Sequence, residues 1–252
     1  MGTIIEEDEG SVRVLTIDRP RRRNAVDPRT AGALRRAIEA FEADDAARVL
    51  VLTGAGGHFC AGADLEAVSS GKFKHDALSH GPLGPTRLQV GKPMVAAVEG
   101  YAVAGGLELA LMCDLRVASE TAVFGVFCRR WGVPLIDGGT IRLPRLIGQS
   151  RALDMILTGR PVGAAEALSF GLANRVVAAG QARKEAVALA RQIASFPQAC
   201  VASDRRSVLE QWSLDMPSAL RREASLGERS LEIEGRAGAR RFAAGAGRGG
   251  MV

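Results

Sequence analysis

Along the chain, stretches with period-two or continuous apolar character alternate with stretches of helical period. Thr3–Glu7 and Ser11–Ile17 are rich in β-branched residues and flank Asp8-Glu9-Gly10, which predicts a hairpin. Asp27-Pro28 supplies an N-cap and a proline at the first helical position. Leu34, Ile38 and Phe41 then share one face of a helix running to about Asp45. Arg48–Thr53 is a nearly continuous apolar run, the pattern of a strand covered on both faces. It ends at Gly54-Ala-Gly-Gly57, where the carboxyl end of a strand would meet a ligand.

Glu66–Gly91 is polar, rich in Gly, Ser and His, and has no sustained period, so a mobile excursion over a site is expected there. Met94–Val98 reads as the next strand, and Leu115–Ala118 and Ala122–Phe124 as short ones. Gly138–Ile147, Arg151–Thr158 and Ala164–Phe170 read as helices, the last ending at Gly171. Ala173–Val177 reads as a strand, Gln181–Ser195 and most of the chain after Pro197 as helices, and Gly245–Gly250 as a frayed end. The order predicts an α/β core followed by a helical appendage, with no repeat of about 20–50 residues.

Gly100–Asp114 carries the chemistry of this plan. Between Tyr101 and Cys113 there is one carboxylate, Glu108, among small and apolar residues. If a helix begins near Ala104, then Ala104, Leu111, Met112 and Leu115 share a face with Glu108. A carboxylate on such a face loses hydration, its pKa rises, and it suits acid/base work near neutral pH. Gly105-Gly106, just before it, lets another group approach backbone N–H donors at a helix start. The same pattern also suits a hydrogen-bonded structural glutamate behind a glycine packing contact.

Composition narrows the classes. The 252 residues suffice for one large α/β domain or a domain with an appendage, and 47% hydrophobic with 24% charged residues is ordinary for a globular protein. Cys60, Cys113, Cys128 and Cys200 are far apart with no C-x-x-C pair, which argues against a disulfide framework or a zinc site and fits a reducing cytoplasm. The acidic start MGTIIEEDEG lacks the pattern of a signal peptide, and no apolar run is long enough to span a bilayer. The net charge of +5, with arginines at 19, 21, 22 and 23 and again at 236, 240, 241 and 248, invites a polyanionic partner. Nucleic acid fits poorly, because aromatics are only 4% and no DNA-binding motif is present; a small phosphate-rich ligand fits better.

Gly54-Ala-Gly-Gly-His-Phe-Cys-Ala-Gly-Ala-Asp-Leu65 is the second focus, with Asp64 placed to cap a short helix. A dinucleotide loop is rejected because Phe59 stands where the third glycine belongs. A serine hydrolase is rejected because no G-x-S-x-G elbow occurs and His58, His75 and His80 lie in or beside loops.

Phe59-Cys-Ala-Gly-Ala-Asp-Leu65 together with Gly100–Asp114 resembles the crotonase (enoyl-CoA hydratase/isomerase) superfamily. The flanking pieces occur in the same order: Arg19-Pro20 and Asn24-Ala25, Lys92-Pro93, Phe124-Gly125, Leu157-Thr-Gly159, and Ala164 to Gly171. The resemblance covers residues 10–180 well. It implies an α/β, crotonase-like spiral of ββα turns over residues 1–195 and a C-terminal helical trimerisation region over 196–252. A homotrimer or hexamer is expected, with no membrane or nucleic-acid partner.

The resemblance further implies an acyl-CoA thioester as substrate, with coenzyme A arriving as part of it and no separate cofactor or metal. The thioester oxygen would sit between the N–H groups of Ala63 and Gly105. Ala61 and Leu65 would line the coenzyme A groove, with Arg21 or Arg22 near its phosphates, and Asp64, Gly106 and Cys128 in the substrate site. Glu108 matches one of two glutamates that hydratases of this family use. The other follows a Phe-Gly-x-x-Glu pattern, which here reads Phe124-Gly-Val-Phe-Cys128. A thiol, with an ordinary pKa of about 8.5, is a poor substitute for a carboxylate acid/base.

Asp137 offers compensation. It resembles the aspartate that dienoyl-CoA isomerases of the family place in this loop, so Glu108 and Asp137 are the expected acid/base pair; capping the helix that starts near Gly138 is the competing role. The leading expectation is hydratase or isomerase chemistry through a stabilised enolate. Thioester hydrolysis, decarboxylation, or acyl-CoA binding without turnover are the alternatives.

Overall fold

The computed structural model describes residues 2–73 and 80–247. His75, Arg248, the middle of the 66–91 stretch and the end of the glycine-rich tail lie outside the described residues.

β1 (Ile4–Glu9) and β2 (Val12–Ile17) form the expected hairpin. Pairing extends to Glu9 and Val12, so the turn is Gly10-Ser11 rather than Asp8-Glu9-Gly10. Gly10 takes a φ of 71°, which a tight two-residue turn demands and glycine supplies without strain. α1 (Pro28–Ala43) starts as its sequence dictates: Asp27 accepts from Thr30 N–H, Pro28 opens the helix, and Leu34, Ile38 and Phe41 are buried. β3 (Val49–Gly54) follows, then α2 (Leu65–Ser69), capped by Asp64.

β4 (Met94–Val98) leads through a short strand, β5 (Tyr101–Val103), into α3 (Gly105–Met112). Leu115, expected on the helical face of Glu108, instead begins β6 (Leu115–Ser119), because α3 ends at Met112. β7 (Val123–Gly125) precedes a 3-10 turn, Phe127–Trp131. Then come α4 (Gly139–Ile147), α5 (Gln149–Thr158), β8 (Val162–Gly163), α6 (Ala164–Phe170), β9 (Arg175–Val177) and α7 (Ala182–Ser195). β5, β8 and the 3-10 turn are too short for a period to reveal. The helices α8 (Gln198–Glu210), α9 (Met216–Ser230) and α10 (Arg236–Ala243) follow, with a π-helical turn at Leu231–Gly235.

The chain divides into two compact units, Met1–Arg191 and Gln192–Val252. In the first, the described strands make a six-stranded sheet in the order β1-β2-β3-β4-β6-β9 and a three-stranded sheet in the order β5-β7-β8. From β2 to β9 the large sheet is parallel, which explains why β3 and β4 read as continuous apolar runs. The second unit is helical throughout its described elements. No helix among the described residues is long and apolar enough to cross a membrane.

The 66–91 stretch is more ordered at its ends than its composition predicts. It contains most of α2, and Leu83, Thr86 and Val90 are buried.

Candidate active site

α3 begins abruptly. Its N-cap residue, Ala104, has φ 54° and ψ −126°, an arrangement that costs a non-glycine residue on the order of 1–3 kcal/mol. Ala104 N–H donates to Gly125 O at 2.8 Å, tying the strained residue to β7. Gly105 and Gly106 follow in tight quarters: a Cβ on Gly105 would overlap Leu83 Cδ1 unless that side chain moved, and one on Gly106 would overlap the backbone carbonyl of Cys60. Glu108 then lies in the first turn of α3 with only 2% of its surface exposed.

Two backbone amides from another part of the chain hold Glu108. Oε1 accepts from Asp137 N–H at 2.9 Å and from Gly139 N–H at 2.8 Å. Both bonds go to Oε1, and among the described residues no group donates to Oε2. Burial pushes the Glu108 pKa up to about 7, and the charge of Asp137 adds to the rise; the two amides and the Arg142 guanidinium oppose it. Nothing in the local sequence of α3 announces Gly139, but its N–H and its missing side chain are both needed. A Cβ there would stand 2.9 Å from Glu108 Cγ and Oε1.

The segment carrying Ala63 is held on both edges. Val26 N–H donates to Gly62 O and Asp64 N–H donates to Val26 O, each at 2.8 Å, in a parallel bridge between Val26 and Ala63. Such a bridge uses the groups flanking Ala63, so the N–H of Ala63 itself turns away from Val26. On the other edge, Cys60 N–H donates to Tyr101 O at 2.9 Å and Val103 N–H to Cys60 O at 3.1 Å. This ladder brings Gly62 against the start of α3, where a Cβ on Gly62 would stand 2.7 Å from Gly105 N. Among the described residues no protein acceptor takes the N–H of Ala63 or of Gly105.

Asp64 is engaged by protein groups. Oδ1 accepts from Glu66 N–H at 3.1 Å, and Oδ2 pairs with Arg19 at 3.0 Å. Asp64, expected in the substrate site, is in this way fixed next to Ala63. Arg19 also donates to Ala25 O and lies 3.2 Å from Asp27, so one guanidinium joins the N-cap carboxylates of α1 and α2. Arg22 is paired with Glu66 through two bonds, at 2.6 and 2.8 Å, whereas Arg21 is exposed on the Pro20–Arg22 turn. Ala61 is half-buried and Leu65 is exposed. Cys128 is buried in the 3-10 turn, and burial first, then the nearby charge of Glu108, push its thiol up.

Asp137 is buried, but its side chain does not cap α4. The N-cap is Gly138, with φ 98° and no side-chain capping bond. Asp137 Oδ1 instead accepts from Leu83 N–H at 3.1 Å and from the Thr86 hydroxyl. Burial pushes its carboxyl up from the ordinary range, against those two donors and the charges of Arg87 and Arg142.

A family model described as enoyl-CoA hydratase/isomerase matches residues 7–243. An enoyl-CoA hydratase of Mycobacterium tuberculosis is 36% identical over 245 residues, spanning 94% of this chain and 92% of that protein. The chain belongs to the enoyl-CoA hydratase/isomerase family. A carnitinyl-CoA dehydratase of Proteus mirabilis is 39% identical over 197 residues, 77% of this chain and 75% of that one. The crystal structure of an enoyl-CoA hydratase from Mycobacterium marinum superposes with a TM-score of 0.91 at 34% identity, covering 96% of both chains. The α/β crotonase-type fold with a C-terminal helical region expected from the two motifs is thus the fold of this chain.

As an enoyl-CoA hydratase/isomerase family member, the chain has site features that motif reading missed: Gly139, the strained Ala104, and the Leu83–Thr86 pair. The only trace of Gly139 in the sequence is the doublet Gly138-Gly139, which the motif reading took as a helix opening.

Proposed function

We propose that this enzyme acts on acyl-CoA thioesters, stabilises a thioester enolate, and moves a proton beside it with Glu108 as the carrier. The observation that carries the reading is the position of Glu108: one oxygen held by two amides, the other with no donor among the described residues, a pKa near 7, and one helical turn from the unengaged N–H of Gly105. The N–H groups of Ala63 and Gly105 would take the thioester oxygen, where each such preset donor is worth roughly 3–4 kcal/mol in the transition state.

A single carboxylate is sufficient for two balanced reactions. In isomerisation it removes a proton from C2 of a 3-enoyl thioester, the electron pair passes to the thioester oxygen as a dienolate, and the same carboxyl returns the proton to C4. In hydration it takes a proton from water as the oxygen adds to C3 of a 2-enoyl thioester, then returns that proton to C2. Cys128 favours isomerisation: by the motif resemblance it replaces the second carboxylate that would assist water, and its buried thiol, pushed up by burial, stays protonated. Arg21, exposed beside this segment, is the better candidate than the Glu66-paired Arg22 for the coenzyme A phosphates.

Enoyl-, dienoyl- and hydroxyacyl-CoAs incubated with the enzyme, with products identified by mass spectrometry, test the reading. A shifted double bond or an added water that vanishes in Glu108→Gln supports it. Thioester cleavage, or binding without turnover, replaces it by hydrolase or carrier. The exposed Leu209, Trp212, Met216 and Leu220 of the second unit support self-association, and light scattering after gel filtration tests whether it gives the homotrimer or hexamer expected from the family resemblance.

A further inference from the structure

Asp137 is the natural second candidate for proton transfer, yet its side chain is committed to a different part of the chain. Its Oδ1 gathers Leu83 N–H and the Thr86 hydroxyl. Arg142 reinforces the same joint, donating to Asp137 O at 2.9 Å and Thr86 O at 2.6 Å. Arg87 adds a bond to Ile136 O at 2.9 Å. Residues 83–87 and 136–138 are thereby fastened together at a point where every side chain involved is buried or half-buried.

Both ends of this joint reach the site. On one side, Asp137 N–H is one of the two amides on Glu108 Oε1, so displacing residue 137 displaces the proton carrier. On the other, Leu83 packs so closely on Gly105 that a Cβ there would overlap Leu83 Cδ1. Gly84 rests on the carbonyl of Ala31 in α1, also with no room for a side chain, so the segment has one seat. A hydrogen-bond acceptor at residue 137 satisfies these contacts whether or not it is charged.

We propose that Asp137 is a positioning residue: its carboxyl seats Leu83 against Gly105, making Leu83 a wall that selects the acyl group, while its amide fixes Glu108. This rests on Ala63 and Gly105 as the thioester donors. Asparagine keeps the acceptor, so Asp137→Asn should cost less than about tenfold in kcat, the worth of one hydrogen bond. Asp137→Ala and Thr86→Val remove the seat, and a misplacement of about 1 Å costs up to about 10²-fold.

The test measures kcat/KM for short and long straight-chain enoyl-CoAs in the full-length Asp137→Asn, Asp137→Ala, Thr86→Val and Leu83→Ala variants, with hydrogen exchange of the Leu83 amide. Expected are a protected amide in Asp137→Asn, and a faster-exchanging amide in Asp137→Ala and Thr86→Val. The long-to-short preference in those two should shift in the same direction as in Leu83→Ala. A loss of about 10²–10⁴ in Asp137→Asn with Thr86→Val unchanged would make Asp137 the acid/base and overturn the proposal. An equally protected amide in Asp137→Ala also overturns it. Turnover by Glu108→Gln at the wild-type rate would instead sink the proton-carrier reading, while the exchange data still judge the joint.

Discussion

Gly139 donates its backbone N–H to Glu108 Oε1 at 2.8 Å, and the side chain it lacks is the space that carboxylate occupies. The carboxylate of α3 is thus oriented by the start of α4, not by its own helix. That arrangement, with both amides on one oxygen, underlies the predictions that follow.

Gly139→Ala places a methyl group 2.9 Å from both Glu108 Cγ and Oε1, closer than carbon atoms pack. The carboxylate must turn, and kcat should fall about 10–100-fold while the thermal midpoint moves by only a few degrees. Kinetics beside a melting curve check this; an unchanged kcat would mean that the orientation of Glu108 does not limit the reaction.

Glu108 must be ionised to take a proton, and its pKa is pushed up to about 7. The kcat/KM of the free enzyme should therefore rise with pH through about 7 and level off above it. Glu108→Gln should lose a factor of about 10²–10⁴ and leave no such inflection. A wild-type profile flat between pH 6 and pH 8 would move the proton to another group.

The same shift makes a stability prediction. Because the folded-state pKa is raised above its ordinary value, the folded protein binds the extra proton between about pH 4.5 and 7. Stability is then full below that window and is lost as pH rises through it. Glu108→Gln removes the ionisable group, so it should match wild type near pH 5 and exceed it near pH 8 by up to about 3 kcal/mol. Urea unfolding at the two pH values measures the difference, and equal gains at both would show that the carboxyl is not the cause.

Arg19 joins the caps of α1 and α2 on either side of the Val26–Ala63 bridge. Arg19→Met leaves the half-buried Asp27 and the buried Asp64 without their shared cation, costing about 1–3 kcal/mol of stability. Because Ala63 N–H loosens with Asp64, kcat should fall more than KM rises. Acetoacetyl-CoA offers a separate readout, since a donor pair that favours the enolate strengthens its ultraviolet enolate band on binding. An unweakened band in Arg19→Met would confine Arg19 to folding.

The hairpin, α1, β3, β4 and the start of α3 were legible in the sequence because period and caps report which face of a segment meets the core and where it ends. The motifs Phe59–Leu65 and Gly100–Asp114 likewise carried the family, and the apolar surroundings of Glu108 already implied a raised pKa. What only the tertiary structure decided was which distant groups those segments meet: Gly139 on Glu108, Thr86 and Leu83 on Asp137, Arg19 on Asp64. Asp137 looked equally suited to capping α4 or to carrying a proton, and the fold turned its side chain to the 83–86 segment. Periodicity is a property of neighbours along the chain, whereas these contacts join residues 29 to 54 positions apart, where only the packing of helices and loops on the sheet selects a partner.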